Sequence, residues 1–179
     1  MNVFYIILGI IISLILLVLI IAAFARKKYS VVRATIIKRP KEEVFNYIKL
    51  LKNQENFSKW VLMDPGMEKE YIGTDGTVGF ISAWDSDNKN VGKGDQTITQ
   101  VIEGERVDYE LHFIKPFEGR ANAFITTEAT SEGFTKVRWG FDSKMKYPMN
   151  IMLLFMNMEK MIGDDFSSGL NSLKIILEK

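Results

Sequence analysis

The residues whose types could perform acid–base or metal chemistry are few in this chain. It contains one histidine and no cysteine, which excludes a thiolate nucleophile, a disulfide and a zinc site built from cysteines or several histidines. His112 could act as a general base. The alternation along residues 106–113, however, places it on the polar face of a strand with Arg106, Asp108 and Glu110. We therefore expect His112 to be solvated and predict no catalytic residue.

Carboxylates cluster in the middle of the chain, and a pair of them could exchange protons if their environments separated their pKa values. Most lie in predicted turns or on polar strand faces, which favours solvated roles; they are Asp85, Asp87, Asp95, Glu103, Glu105 and Asp108. Asp164 and Asp165 supply too few oxygen ligands for a hard cation. The segment Gly92-Lys93-Gly94 fits a tight turn better than a phosphate-binding loop, which needs Ser or Thr after the lysine. The sequence predicts neither a metal site nor a cofactor.

Aromatic and methionine side chains form a more promising set, because adaptable apolar side chains suit a pocket for varied apolar ligands. The candidates for lining such a cavity are Trp60, Phe80, Trp84, Tyr109, Phe113, Trp139, Phe141, Met152, Phe155, Met156 and Phe166. The same residues could instead fill an ordinary core, and for any single one of them the filled core is the preferred interpretation. Polar groups that could orient a ligand are Gln96, Arg120 and Asn122.

A run of short strands and a C-terminal helix must position these residues. Alternating apolar residues and intervening Gly, Asp and Asn turns predict hairpin strands at 29–38, 68–72, 78–85, 93–103, 106–114, 121–130 and 135–144. A short helix follows Pro40, and a second reaches Trp60. Apolar residues at intervals of three or four over 148–179 predict a long amphipathic helix, interrupted near Gly163 or Gly169. The expected fold class is α+β, with a curved antiparallel sheet around the C-terminal helix.

Residues 3–25 are uncharged and almost entirely apolar. As a helix they would span roughly 34 Å, enough to cross the ~30 Å hydrocarbon core of a bilayer. The segment Ala23-Phe24-Ala25 resembles a signal-peptide cleavage site. No Lys or Arg precedes the run, which is also longer than a signal-peptide core, so an uncleaved anchor is favoured. The positive-inside rule, applied to Arg26-Lys27-Lys28, then predicts a single-pass membrane protein with a cytoplasmic soluble domain and with Met1 and Asn2 outside.

The charge of the chain does not support nucleic-acid binding. The net charge is +1, from 23 basic and 22 acidic residues. Without Arg26, Lys27 and Lys28, 20 basic residues remain against 22 acidic ones, so the remainder carries −2. The sequence also lacks a basic stripe interleaved with aromatic residues. We divide the chain into an N-terminal anchor with a basic flank at 1–28 and one soluble domain at 29–179.

Short motifs in a fixed order add a resemblance to a known family. They are Asn56-Phe57-Ser58-Lys59-Trp60, Met63-Asp64-Pro65-Gly66-Met67, Gly73-x-x-Gly76-x-Val78-Gly79, Val91-Gly92-x-Gly94, Val137-x-Trp139-Gly140 and Tyr147-Pro148-Met149-Asn150. In this order they resemble the bacterial polyketide cyclase/dehydrase-like proteins of the START and pollen-allergen (SRPBCC) superfamily. The resemblance covers 29–179. One departure is Val61-Leu62, which stands where a second Trp often follows Trp60 in the family.

The resemblance implies the helix-grip fold and a hydrophobic cavity between the sheet and the long helix. Members of the superfamily bind lipids, sterols, polyketides and other apolar molecules there, and some act as cyclases or dehydratases. The leading hypothesis is therefore a membrane-tethered binding domain for a small hydrophobic, lipid-like ligand. A cyclase or dehydratase using the same cavity is one alternative, and a ligand-free structural or regulatory membrane protein is another. The latter predicts no cavity of even ~300 Å³.

The segment 149–158, MNIMLLFMNM, is apolar on almost all sides. Covering the core is its default role. A movable lid and contact with the bilayer near the anchor are the other interpretations, and the second is motivated by the apolar run at 3–25.

Overall fold

The computed structural model of the protein describes residues 3–179, so the predicted location of Met1 and Asn2 lies outside the described residues. The helices are α1 (Val3–Phe24), α2 (Lys41–Ile48), α3 (Lys59–Met63) and α4 (Met158–Leu177). The strands are β1 (Lys28–Ile37), β2 (Glu68–Ile72), β3 (Ile81–Asp85), β4 (Lys93–Ile102), β5 (Arg106–Lys115), β6 (Gly119–Ala129) and β7 (Thr135–Lys144). Two 3₁₀ helices span Leu51–Asn56 and Met149–Leu154.

The seven strands form one antiparallel sheet in the order β1-β7-β6-β5-β4-β3-β2. Consecutive strands from β2 to β7 are neighbours, because each is joined to the next by a short connection. The chain between β1 and β2 forms α2, the first 3₁₀ helix and α3, so these two strands lie at opposite edges. The predicted α+β class, with its antiparallel sheet and long C-terminal helix, is confirmed.

The apolar face of α4 holds the sheet and this helix together. Phe166, Leu170 and Leu173 recur at intervals of three and four and are almost fully buried. They join a core that includes Val31 of β1 and Trp139 of β7. The alternation of β5 also behaves as predicted, because Val107 and Tyr109 are buried while residues 106, 108 and 110 are partly exposed.

The third strand is shorter than the predicted 78–85. It begins at Ile81, because a turn closed by the Phe80 N–H and the Thr77 carbonyl, 3.2 Å apart, precedes it. The strands β2 and β7 have the predicted bounds, and the others differ by one or two residues at their ends.

The C-terminal helix does not have the predicted interruption at Gly163 or Gly169. Instead, α4 is continuous from Met158, after the Asn157 side chain accepts a 3.1 Å bond from the Lys160 N–H at its N-cap. The two glycines lie inside the helix where neighbours approach closely. A Cβ at Gly163 would meet the Arg33 guanidinium, and one at Gly169 would lie 2.9 Å from Trp139 Cζ3.

The helix α1 stands apart from this sheet and helix. Its 22 residues are almost all exposed, and by length and composition it could cross a membrane; a signal sequence near an N-terminus would have the same character. Contacts with the rest of the chain are concentrated at its C-terminal end, where Ala22 is fully buried. That end meets the second 3₁₀ helix.

Candidate functional site

A cavity of about 350 Å³ lies between the concave face of the sheet and the helices. The strands contribute side chains that alternate inward, and α4 contributes Met158, Ile162 and Phe166 at intervals of four residues. The first 3₁₀ helix and α3 close another side with Leu51, Gln54 and further residues. The volume falls within the range of small-molecule sites in proteins.

The structure brings together most of the aromatic residues singled out from the sequence. Those that line the cavity are Trp60, Trp84, Tyr109, Phe113, Trp139, Phe141 and Phe166. Trp139 is central among them. Its ring stacks on Phe166 at 4.6 Å between centroids, and the edges of Phe57 and Trp60 meet it at 5.5 and 6.4 Å. Such packing holds the wall rigid, while a ligand-binding role for these residues stays a prediction.

The other four predicted lining residues lie elsewhere. Phe80 is fully buried beside the cavity rather than in its wall, with its ring stacked on Tyr71 at 6.1 Å. Met152, Phe155 and Met156 belong to the second 3₁₀ helix and the connection to α4, and they do not line the cavity. Because α4 begins only at Met158, these three residues do not share its inward-facing register. The Phe155 side chain is 82% exposed.

The cavity floor carries a small group of polar side chains among apolar ones. Trp139 Nε1 donates to the Tyr109 hydroxyl at 2.7 Å, and Gln96 Nε2 donates to Gln54 Oε1 at 3.2 Å. Both glutamines are more than nine-tenths buried and line the cavity. Burial raises the pKa of the Tyr109 phenol, which therefore stays neutral.

One of these polar atoms, Gln54 Nε2, is shielded from solvent and has no partner with hydrogen-bond geometry among the described residues 3–179. The Gln54 side chain nevertheless lies close enough to the Tyr109 hydroxyl to oppose the rise in its pKa. A buried donor without a hydrogen bond costs about 1–3 kcal/mol. The floor therefore offers a ligand an unused N–H next to a neutral hydroxyl.

The polar residues considered from the sequence divide between the two faces of the sheet. Gln96 faces the cavity, whereas Arg120 and Asn122 are exposed, and Arg120 pairs with Glu110. Sequence reasoning missed Gln54. It lies in a 3₁₀ helix of sequence LKNQEN, and the polar composition of this short helix gives no sign of a cavity floor.

A second polar cluster lies at the side of the cavity. The Glu55 carboxylate accepts a 2.7 Å bond from Lys69 Nζ and another from the Tyr71 hydroxyl. Burial acts to raise the pKa of Glu55, but the hydrogen bonds from Lys69 and Tyr71 outweigh it and hold the pKa below its ordinary value. The pKa of Tyr71 is raised by burial and by the same carboxylate. Glu55 is therefore ionised and Tyr71 neutral near pH 7.

This cluster predicts acid sensitivity. A carboxyl group whose folded-state pKa is depressed contributes stability that is complete above its unfolded-state value, here 4.5, and is lost as pH falls through the folded-state value. We expect Glu55→Gln to make the unfolding free energy decrease less steeply as the pH falls below 4.5. Urea unfolding measured at a series of pH values tests this. Glu70→Gln, at an exposed position of β2 between Lys69 and Tyr71, is the control and should leave the acid-dependent loss of stability unchanged.

The residues with acid–base or metal-binding side chains considered first lie outside the cavity. His112 is partly exposed, with Nδ1 3.2 Å from Asp95 Oδ2, and does not line the cavity. Lys93 pairs with Asp85 at 2.6 Å, and Gly92 adopts a positive φ of 67° at the end of the turn. Within residues 3–179, no group of three His, Cys, Asp or Glu side chains is arranged to hold a metal ion.

Neither a protein-family model nor a curated protein sequence matches this chain. Solved structures do. A protein of unknown function from Staphylococcus aureus, SA2116, superposes with a TM-score of 0.63 at 11% identity over 85% of this chain and 94% of the other. Protein MLL2253 from Mesorhizobium loti gives 0.60 at 16% identity over 84% and 97%. Ara h 8.0201 gives 0.56 at 12% identity over 84% and 97%. The chain therefore has, over about 84% of its length, the helix-grip fold that the sequence predicts.

Proposed function

We propose that this protein is a membrane-tethered binding domain that holds one small hydrophobic, lipid-like molecule in the cavity between the sheet and α4. The observation that carries the proposal is a cavity of about 350 Å³ whose wall is mostly apolar and whose floor holds an unpaired amide donor, Gln54 Nε2. Pockets of this kind gain affinity from buried apolar area and orientation from a few polar groups.

The floor also indicates the chemistry of the buried end of the ligand. Gln54 Nε2 can donate a hydrogen bond, and the Tyr109 hydroxyl next to it is neutral. The cationic side chains that line the cavity are Lys69, which is paired with Glu55, and Lys115, which is exposed at the edge. A charged end buried at the floor would lack a counter-ion there. An apolar molecule with a neutral carbonyl or hydroxyl oxygen at one end fits best.

The tether in this proposal is α1. The side chains of this helix are exposed on all sides over most of its length, as a bilayer-spanning helix requires and a buried core helix does not. Arg26, Lys27 and Lys28 follow it, and by the positive-inside rule they favour a domain on the cytoplasmic side.

The two alternatives make different demands on the cavity. A cyclase or dehydratase needs a group in the cavity that can give or take a proton. Among the described lining residues, Glu55 is the one with a carboxyl group. Hydrogen bonds from Lys69 and Tyr71 hold it ionised at the side of the cavity. A ligand-free structural protein was expected to have a cavity below ~300 Å³, and the observed volume is larger. These observations favour binding.

Native mass spectrometry tests the proposal directly. A chain starting at Arg26 keeps all of β1 and the bond from Arg26 to the Leu153 carbonyl, and it can be purified from its own host without detergent. We expect a bound apolar molecule of defined mass. A protein that stays free of ligand after incubation with a lipid extract from the host would contradict the proposal.

The role of the floor is tested by replacing both glutamines. Exchanging both partners of a buried hydrogen bond for apolar groups of similar shape is nearly neutral for folding, so the double variant Gln54→Met with Gln96→Met should change the unfolding free energy by less than about 1 kcal/mol. Affinity for a ligand with an acceptor oxygen should fall about tenfold, equivalent to 1.4 kcal/mol. Affinity for an alkane of similar size should not fall. Equal effects on the two ligands, measured by calorimetry, would exclude the floor as the orienting group.

A further inference from the structure

The mouth of the cavity is marked by the exposed members of its lining. Of the residues that line it, the exposed ones are Asn90, Lys115, Pro116 and Phe117. They come from the β3–β4 connection and the β5–β6 turn. These two segments touch, since a Cβ at Gly92 would overlap the backbone of Lys115. The mouth therefore lies at the end of the sheet where β5 ends and β6 begins.

The same end of the sheet receives α1. Tyr29, near the start of β1, pairs with Ser143 of β7, and Ser143 pairs in turn with Ala121 near the start of β6. Beyond this row, the Met145 N–H donates to the Lys27 carbonyl at 2.9 Å. The exit of α1 and the mouth of the cavity consequently lie at one end of the domain.

The end of α1 is fixed to the domain by hydrogen bonds. Asn150, which is fully buried, donates from Nδ2 to the carbonyls of Ala22 and Ala25 at 2.7 and 3.1 Å. These carbonyls belong to the last turn of a helix, whose carbonyls have no partner within the helix. Arg26 Nη2 donates to the Leu153 carbonyl at 3.2 Å. The 3₁₀ helix Met149–Leu154 is thus held against the point where α1 would enter a bilayer.

A tyrosine extends further along α1. The Tyr147 hydroxyl lies 3.4 Å from the carbonyl of Leu19. This carbonyl is five residues before the end of α1, or roughly 7.5 Å along the helix axis. Tyrosine is enriched at the level of lipid headgroups. With α1 across a bilayer, Tyr147 would lie within the headgroup layer, and the adjoining face of the domain would rest on it.

The side chains around the mouth suit such a surface. Phe117 is 71% exposed, and other exposed apolar side chains at this end are Met149, Leu154 and Phe155. Exposed basic residues accompany them: Arg26, Lys27, Lys28, Lys115, Lys144 and Lys146. Exposed acidic residues at this end are fewer and include Asp87 and Glu118, whereas the turns at the opposite end carry Glu103, Glu105 and Glu132 together with Lys38. The excess of basic and apolar side chains at the mouth suits an anionic membrane surface.

We infer that the cavity opens directly onto the bilayer surface, so that a lipid-like ligand moves between membrane and cavity without crossing water. The inference rests on the proposed function, because it takes α1 as a membrane-spanning helix and the cavity as a ligand site. It adds the partner surface, which is the anionic face of the bilayer, and the route of exchange, which passes between Phe117 and the N-terminal end of α4.

Depth measurements on the full chain test the inference without using a ligand. The sequence has no cysteine, so a nitroxide can be attached to single cysteines in Phe117→Cys, Phe155→Cys and the control Ser131→Cys. All three positions are exposed, and Ser131 lies in the turn at the far end of the sheet. The proteins are placed in vesicles of phosphatidylethanolamine and phosphatidylglycerol. Relaxation of each label by lipid-soluble oxygen and by a water-soluble nickel chelate is then compared.

We expect oxygen to relax the labels at 117 and 155 more than nickel does, and the label at 131 to show the reverse. Labels at 117 and 155 that behave like the one at 131 would overturn the inference. So would shielding of 117 and 155 from both reagents, which would mean that a second copy of the chain covers the mouth. Because no ligand is involved, this failure is distinct from failure to find a bound molecule by mass spectrometry.

Discussion

Replacing Ala123 by phenylalanine should fill part of the cavity and keep the ligand out, while the domain stays folded. Ala123 is buried on β6, faces the cavity, and pairs with Tyr109 and Phe141 on the neighbouring strands. A phenyl ring there would occupy space that the ligand needs. We expect binding of the neutral apolar probe N-phenyl-1-naphthylamine, measured by fluorescence, to weaken at least tenfold, or by about 1.4 kcal/mol.

The matched control is Ala129→Phe on the same strand. Ala129 is exposed and does not line the cavity, so the same substitution should leave probe binding unchanged. Thermal unfolding followed by circular dichroism checks that Ala123→Phe folds, since overpacking a filled site would cost about 1–3 kcal/mol. Unchanged probe binding in a folded Ala123→Phe protein would show that this cavity is not the ligand site.

The same substitution, glycine to alanine, should lower stability at one position of α4 and not at another. Glycine within a helix is about 1 kcal/mol less favourable than alanine, so Gly→Ala would ordinarily stabilise α4. At Gly169 the new Cβ would lie 2.9 Å from Trp139 Cζ3 and 3.1 Å from the Phe57 carbonyl oxygen. Neither can move easily, because one belongs to a buried, stacked ring and the other to the backbone. We expect Gly169→Ala to lower the unfolding free energy by about 1–2 kcal/mol, after the overpacking cost offsets the propensity gain.

Gly163→Ala meets a different neighbour. Its Cβ would contact the end of the Arg33 side chain, which can move away. Moving it would break the partly exposed ion pair of 2.6 Å between Arg33 and Glu159. Surface ion pairs of this kind contribute about 0–1 kcal/mol. The variant should therefore be neutral or slightly more stable than the wild type. Urea unfolding followed by tryptophan fluorescence compares the two, and equal losses in both variants would refute the close packing of α4 on Trp139.

Most of the strands were predictable because they have one wet face and one buried face, whereas β3, whose start was predicted too early, is partly exposed at every position. In β5 the alternation separates Tyr109, on the cavity side, from His112, on the outer side, and both positions agree with the structure. An alternation with a period of two is a local property of the sequence, so it can be recognised without knowing which strands lie on either side. The same reasoning located the aromatic lining contributed by β5 and β7.

The helical side of the cavity was less predictable, because its geometry depends on contacts between distant segments. The glycines of α4 resemble helix breakers in sequence. The absence of a side chain at Gly169, however, leaves room for Trp139, which is 30 residues earlier in the chain, to pack against the helix. Phe155 shares the apolar character of the lining residues but precedes the start of α4 at Met158. Gln54 carries no periodic signal at all, and only the fold of the first 3₁₀ helix onto the sheet reveals it as part of the floor.

The junction between α1 and β1 limits where the domain can reach. Only residues 25–27 separate the two elements, a fully extended length of roughly 10 Å. The hydrogen bonds from Asn150 to the Ala22 and Ala25 carbonyls fix even this short segment to the domain. A domain on a long flexible linker could sample a hemisphere of cytosol in search of a partner. With α1 across a bilayer, as proposed above, this domain would instead keep one orientation on the membrane. A membrane protein that delivered or received the proposed ligand would then find it by diffusing within the plane of the membrane, a two-dimensional search in which local concentration matters more than cytosolic abundance.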